Sequence, residues 1–215
     1  MLINGEEIER RLKSKTEGDP RKRLIISPIL DWGAQFSKGA ASIDVRLGSW
    51  FLTPSKSKLS VLDPLDEGYK ETTLQMIDEA YVSIGDYFVL HPRQFVLGIT
   101  LEWIKLPYDL GAYVLGRSSW GREGLIIATA TGVQPGFSGV LILELTNVGE
   151  IPIKLWPGAT IAQLFFHKVG GRISELRDDS IFFGQTKPTR GVPIDRIDRK
   201  IIRRFFPETK PPEKP

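Results

Sequence analysis

Residues 140–167 read VLILELTNVGEIPIKLWPGATIAQLFFH. Three short apolar runs (140–146, 151–156 and 160–167) are cut by turn residues at Asn147-Val148-Gly149 and Pro157-Gly158. Runs this short, bounded by Gly and Pro, read as β-strands joined by tight connections. Working outward, similar runs recur at 42–47, 87–90, 94–101, 112–115 and 124–128, punctuated by His91-Pro92, Leu106-Pro107 and Pro135-Gly136. The pattern predicts a mainly β fold, an antiparallel sandwich or barrel rather than alternating βαβ units.

Other segments read differently. Residues 3–12 (INGEEIERRL) place Ile8 and Leu12 at helical spacing with acids ahead of bases, which predicts a short N-terminal helix. Residues 13–23 are charged around Gly18-Asp19-Pro20 and read as a loop. Residues 56–77 read as an insertion carrying a loop, with a short helix at 74–80. Beyond Gly170 the chain turns polar and ends in PETKPPEKP (207–215), too polar and proline-rich to pack. This organisation predicts one domain over residues 1–190 and an extension over 191–215, flexible at its Pro-rich end.

Composition removes several classes of chemistry. With no cysteine among 215 residues, the chain offers no disulfide, no thiolate zinc site and no cysteine nucleophile. The two histidines, His91 and His167, lie far apart, and the His-x-Glu…Pro-Cys-x-x-Cys zinc signature of nucleobase deaminases is absent. A formal charge of +3 is small for a nucleic-acid groove, so a small anionic ligand fits better. No apolar run reaches the length of a membrane span and the N-terminus lacks a signal-peptide core, so a cytoplasmic protein is expected.

The segment Gly116-Arg117-Ser118-Ser119-Trp120-Gly121-Arg122-Glu123-Gly124 holds two arginines, two serines and three glycines. Glycines let backbone N–H groups approach an anion, and arginine supplies forked, permanently charged donors. An anion site and a plain polar turn are both open readings. Along residues 140–146, alternation puts Glu144 on the face of Val140 and Ile142, while Leu141, Leu143 and Leu145 take the other. Two apolar faces predict a buried strand and a buried glutamate with it, a general base or half of a structural pair with an arginine; an edge-strand glutamate in water is the other open reading.

The sequence resembles the dCTP deaminase branch of the dUTPase-like superfamily over residues 1–190. The resemblance is carried by Ala41-Ser-Ile-Asp-Val-Arg-Leu-Gly48, Leu90-His-Pro92, Gly116-Arg-Ser-Ser119 with Arg122, Pro135-Gly-Phe-Ser-Gly139 and Leu143-Glu144. Trp156-Pro-Gly158, Ile161-Ala-Gln-Leu164 and Phe183-Gly-Gln185 with Pro188-Thr189 extend it. It implies a β-clip, a distorted jelly roll, assembled as a homotrimer with active sites between subunits. It further implies a deoxynucleoside triphosphate substrate carrying Mg²⁺, no zinc, and hydrolytic deamination of dCTP to dUTP. In that likeness Glu144 corresponds to the general base, and Ser118 and Arg122 complete the water and base pocket. Arg117 and Ser119 correspond to phosphate-loop residues and Gln185 to the glutamine that closes over the triphosphate. Trp120, Gly121, Ala130, Gln134, Ile142 and Leu143 complete the substrate pocket.

Two positions depart from the pattern. Family members usually carry an aspartate where this chain has Gln134; it activates the attacking water in dUTPases and contacts the deoxyribose in the deaminases. A glutamine amide still hydrogen-bonds a sugar hydroxyl but accepts no proton. Where relatives often have Lys-Tyr before the glutamine motif, this chain has Ile181-Phe182, leaving Lys187 as a replacement cation. A dUTP or dNTP diphosphatase and a non-catalytic nucleotide-binding homologue are therefore the alternatives to a deaminase.

Overall fold

The computed structural model describes residues 1–14, 22–36, 40–55, 59, 61–129, 132–171, 184–191, 193–194 and 196–205. The expectations for the Gly18 loop, Ala130, Ile181-Phe182, Phe183 and the 207–215 tail lie outside the described residues. The fold is mainly β. Among the described residues, twelve strands run in order as β1 Ile25–Ser27, β2 Ser42–Arg46, β3 Trp50–Pro54, β4 Ile77–Tyr81, β5 Phe88–Leu90, β6 Phe95–Lys105, β7 Leu110–Gly116, β8 Leu125–Ile127, β9 Gly132–Val133, β10 Ser138–Asn147, β11 Ile153–Leu155 and β12 Thr160–Lys168. Helices are α1 Gly5–Lys13, α2 Trp32–Gln35, α3 Tyr69–Leu74, α4 Ser118–Arg122 and α5 Arg196–Phe205.

β10 organises the larger sheet, ordered β4-β3-β6-β10-β8 with β1 also on β6. It runs antiparallel to β6 with Glu144 opposite Leu97, and antiparallel to β8 with Leu145 opposite Ile127. The second sheet is ordered β2-β12-β7-β9, and β5 pairs with β11 separately. Alternation explains which faces turn inward: Leu141, Leu143 and Leu145 of β10 are buried, as are Ala162, Leu164 and Phe166 of β12. Residues of both large sheets, Ile43, Val45, Phe51, Leu143 and Phe166 among them, form one apolar core.

α1 starts where expected. The Asn4 side chain accepts the Glu7 N–H as an N-cap, acids occupy the first turn, and Ile8 is fully buried. The expected helix at 74–80 is not formed. α3 ends at Leu74, the Met76 carbonyl accepts the Ser55 N–H, and residues 77–81 pair as β4 with the edge of β3. Pairing with an open edge overrides local helical preference there. β6 also runs four residues past the expected end at Leu101.

The chain divides into two compact units, one of residues 1–53 with 79–189 and one of residues 54–78 with 190–215. Within the second, Arg199 donates to the Leu65 and Pro64 carbonyls at 2.8 and 3.1 Å. No described helix is long and apolar enough to cross a membrane.

Candidate active site

The polar segment after β7 is a single helical turn, α4, anchored at several atoms. The Arg117 N–H donates to the Ile161 carbonyl at 3.2 Å, and the Arg117 carbonyl accepts the N–H groups of Trp120 and Gly121 at 3.1 and 3.2 Å. The Trp120 indole N–H donates to the Thr160 carbonyl at 2.8 Å. Trp120 thus ties α4 to the start of β12, a packing role beside its place in the expected pocket. Gly124 closes the segment at φ +88°, where a Cβ would stand 2.8 Å from the Gly149 nitrogen. Both the backbone angle and the close approach require glycine.

Pinned in this way, α4 turns Ser118, Ser119, Gly121 and Arg122 to the surface. Among the described residues, no hydrogen bond or ion pair occupies the two hydroxyls or the Arg122 guanidinium. Arg117 is different. Its Nη1 donates to Asp44 Oδ2 at 2.9 Å, and Gln163 Nε2 donates to Asp44 Oδ1 at 3.0 Å.

Glu144 sits on β10 with its N–H donating to Thr129 Oγ1 at 3.1 Å and its carbonyl accepting the Ala128 N–H at 2.8 Å. Its side chain is half-buried rather than buried, because Ile142, Glu144 and Thr146 form the face that turns away from the core. Among the described residues its carboxylate has no hydrogen-bond or ion-pair partner. Leu143 is fully buried on the opposite face, so only its backbone is available to a ligand. Ile142 is half-buried beside Glu144.

The same strand brings two groups of expected site residues into order. At its C-terminal half, β8 pairs with Leu145–Asn147 and Ile127 packs where Gly116 leads into α4. At its N-terminal end, Gln134-Pro135-Gly136-Phe137 form a turn. The Phe137 N–H donates to the Gln134 carbonyl at 3.2 Å, and Gly136 takes φ +79°. Gln134 is exposed on that turn. Here too the C-terminal segment docks: Gly184 N–H donates to the Ser138 carbonyl at 2.7 Å and Val140 N–H to the Gln185 carbonyl at 3.0 Å. Thr189 Oγ1 donates to Gln185 Oε1 at 3.0 Å. Lys187 lies 3.7 Å from the Trp50 ring centroid and 3.6 Å from Glu79 Oε2, which places its charge against β3 and β4.

Among the described residues the fully buried carboxylate is Glu102, not Glu144. Glu102 Oε2 accepts the Arg46 N–H at 2.9 Å, while Oε1 faces Gln35 Nε2 at 3.2 Å and Arg46 Nη1 at 3.4 Å. Burial pushes its pKa up, opposed by the hydrogen bonds and charge of Arg46. Alternation along β6 carries the signal, since Val96, Gly98, Thr100, Glu102 and Ile104 share the buried face. A strand ended at Leu101 leaves Glu102 outside it. Asp44 and Gln163 also lay unread within matched motifs, because nothing local to either one points to Arg117.

Comparison with known proteins gives a consistent picture. Residues 2–169 match the model of a family described as dCTP deaminase-like. A dCTP deaminase from Natronomonas pharaonis is 42% identical over 192 residues, covering 87% of this chain and 92% of that protein. A "dCTP deaminase, dUMP-forming" from Kocuria rhizophila is 39% identical over 171 residues, covering 79% of this chain and 80% of that protein. Among solved structures, the 2′-deoxycytidine 5′-triphosphate deaminase from Agrobacterium tumefaciens matches with a TM-score of 0.57 at 22% identity. That match covers 78% of this chain and about half (48%) of the solved chain, and it bears on the fold alone.

Proposed function

The chain belongs to the dCTP deaminase-like family, and from that membership we propose that it hydrolyses dCTP to dUTP and ammonia. The observation that carries the reading is the 42% identity to a dCTP deaminase across 87% of this chain. The family match spans both α4 and β10.

In the proposed reaction, water adds to C4 of the cytosine ring and the exocyclic amine leaves as ammonia from the tetrahedral carbon. Glu144 takes the proton from the water and delivers it to N3 of the ring, then takes the proton of the new C4 hydroxyl and passes it to the leaving amine as C4=O forms, a role suited to a half-buried carboxylate with no competing partner. Ser118 and Arg122 fix the water and the charge that develops at the ring. Arg117 and Ser119 meet the phosphates, and Gln185 closes over them. Trp120, Gly121, Ala130, Gln134, Ile142 and Leu143 shape the rest of the pocket. A chain without cysteine supports a zinc-independent route. Among the described residues no group of three or more His, Asp or Glu side chains is placed to hold a metal ion. Mg²⁺ is proposed to arrive on the triphosphate, whose charge it would screen.

The proposed assembly is a cytoplasmic homotrimer. Exposed site groups on α4 and an exposed apolar face at Tyr113 and Leu115 of β7 support association between copies.

One assay tests the reading: purified protein, each deoxynucleoside triphosphate, Mg²⁺, and chromatography of the products. dUTP and ammonia from dCTP are expected. Unchanged but bound nucleotide would leave a non-catalytic homologue instead. A second reading, further hydrolysis to dUMP and pyrophosphate, is favoured by the dUMP-forming name of the Kocuria rhizophila relative. Gln134 weighs against it, since an amide cannot serve as the base for attack on phosphorus. Pyrophosphate in the same assay would establish it.

A further inference from the structure

Asp44 of β2 stands directly opposite Gln163 of β12. Both of its oxygens are committed, Oδ1 to Gln163 Nε2 at 3.0 Å and Oδ2 to Arg117 Nη1 at 2.9 Å. Its own carbonyl accepts Gln35 Nε2 at 3.3 Å, and that same amide nitrogen faces buried Glu102. The Asp44 side chain is 17% exposed, whereas the Arg117 side chain is 38% exposed. The carboxylate is therefore the fixed member of the pair and the guanidinium the member that reaches solvent.

Arg117 is held at both ends. Its backbone N–H is bonded to β12 at Ile161, and its guanidinium crosses to β2. Of its five donor hydrogens one is used on Asp44, and the rest of the planar fork stays available. A guanidinium fixed at root and tip loses less rotamer freedom when an anion arrives than a free one does. We infer that Asp44, itself clamped by Gln163, is a positioning residue that aims Arg117 at the phosphates of the nucleotide. The inference rests on the deaminase reading, in which Arg117 meets phosphate. A purely structural pair would tie β2 to the start of α4 and leave nucleotide affinity alone.

A double-mutant cycle on KM for dCTP separates the two. Asp44→Asn is expected to raise KM about tenfold with kcat changed less than about twofold, the size of one charge-assisted hydrogen bond. In an Arg117→Gln background the same substitution is expected to change KM by less than about twofold, because its effect passes through the missing guanidinium. Equal KM effects in both backgrounds, or an unchanged KM, overturn the role. Gln163→Met covers the case in which Asp44→Asn fails to fold. It removes the clamp but keeps the ion pair, and about a threefold rise in KM, again lost without Arg117, is expected. A Gln163→Met chain with unchanged KM likewise overturns it. Wild-type protein that releases no ammonia from dCTP removes the deaminase reading and this role together. An active wild type with additive losses removes the role alone.

Discussion

Val140 donates its backbone N–H to the Gln185 carbonyl at 3.0 Å, on the strand that carries Glu144 four residues further along. At the strand rise, this sets the two positions roughly 13 Å apart. The C-terminal segment thus meets β10 at the end opposite the proposed base, as expected if it serves the phosphates rather than the ring. The docking contact uses the Gln185 backbone, so Gln185→Ala keeps it and loses the amide together with its bond from Thr189 Oγ1. The expected outcome is a rise of about tenfold in KM for dCTP with kcat nearly unchanged, checked by steady-state ammonia release. A fall in kcat at constant KM would place Gln185 in the chemistry instead.

Glu144→Gln keeps the size and backbone bonds of the residue, since Thr129 and Ala128 bond its N–H and carbonyl rather than its carboxylate. Melting temperature should hold. Ammonia release should fall by at least about 10²–10⁴-fold, the usual scale of general-base assistance, while dCTP still binds. Full activity in this variant would remove Glu144 from the mechanism.

Much of the fold was legible because period-2 patterning and Gly/Pro punctuation are local. β10 and β12 fall within two residues of their expected ends. Glu102 escaped because β6 continues past Leu101, and Asp44 because its partner lies 73 residues away. The burial expected for Glu144 also failed for a physical reason. Apolar neighbours Val140 and Ile142 suggested a covered face, but beyond Val140 that face turns away from the core and Ile142, Glu144 and Thr146 are half-buried.

Glu7 offers a test at acid pH. Hydrogen bonds from Arg10 and Arg11 hold its carboxyl down at about 2 against an ordinary 4.5. A depressed carboxyl stabilises the fold above its unfolded value, and that contribution is lost as pH falls from 4.5 towards about 2. The side chain is a quarter exposed, so solvent screening keeps the effect below about 1 kcal/mol. Glu7→Gln should lower thermal stability slightly at pH 6 and converge on wild type near pH 2, with the difference shrinking in added salt.

Glu102 has the opposite sign. Burial raises its pKa, so the folded chain binds this proton more tightly than the unfolded one. Its contribution therefore favours folding at low pH and weakens as pH rises from the ordinary carboxylate value of 4.5 through the raised folded value. Replacing it is nevertheless costly. Arg46, only 10% exposed, faces Glu102 at 3.4 Å, and Gln35 and the Arg46 N–H also point at the carboxylate. Glu102→Gln keeps one acceptor but turns an amide N–H₂ towards donors and leaves a buried guanidinium without its counter-charge. The expected loss is about 3 kcal/mol at pH 7, within the range for breaking a buried pair. Denaturant unfolding across pH 5–8 checks both parts: the variant should be less stable throughout, and its stability should vary less with pH. A variant as stable as wild type at pH 7 would show that the Arg46–Glu102 contact contributes nothing to the fold.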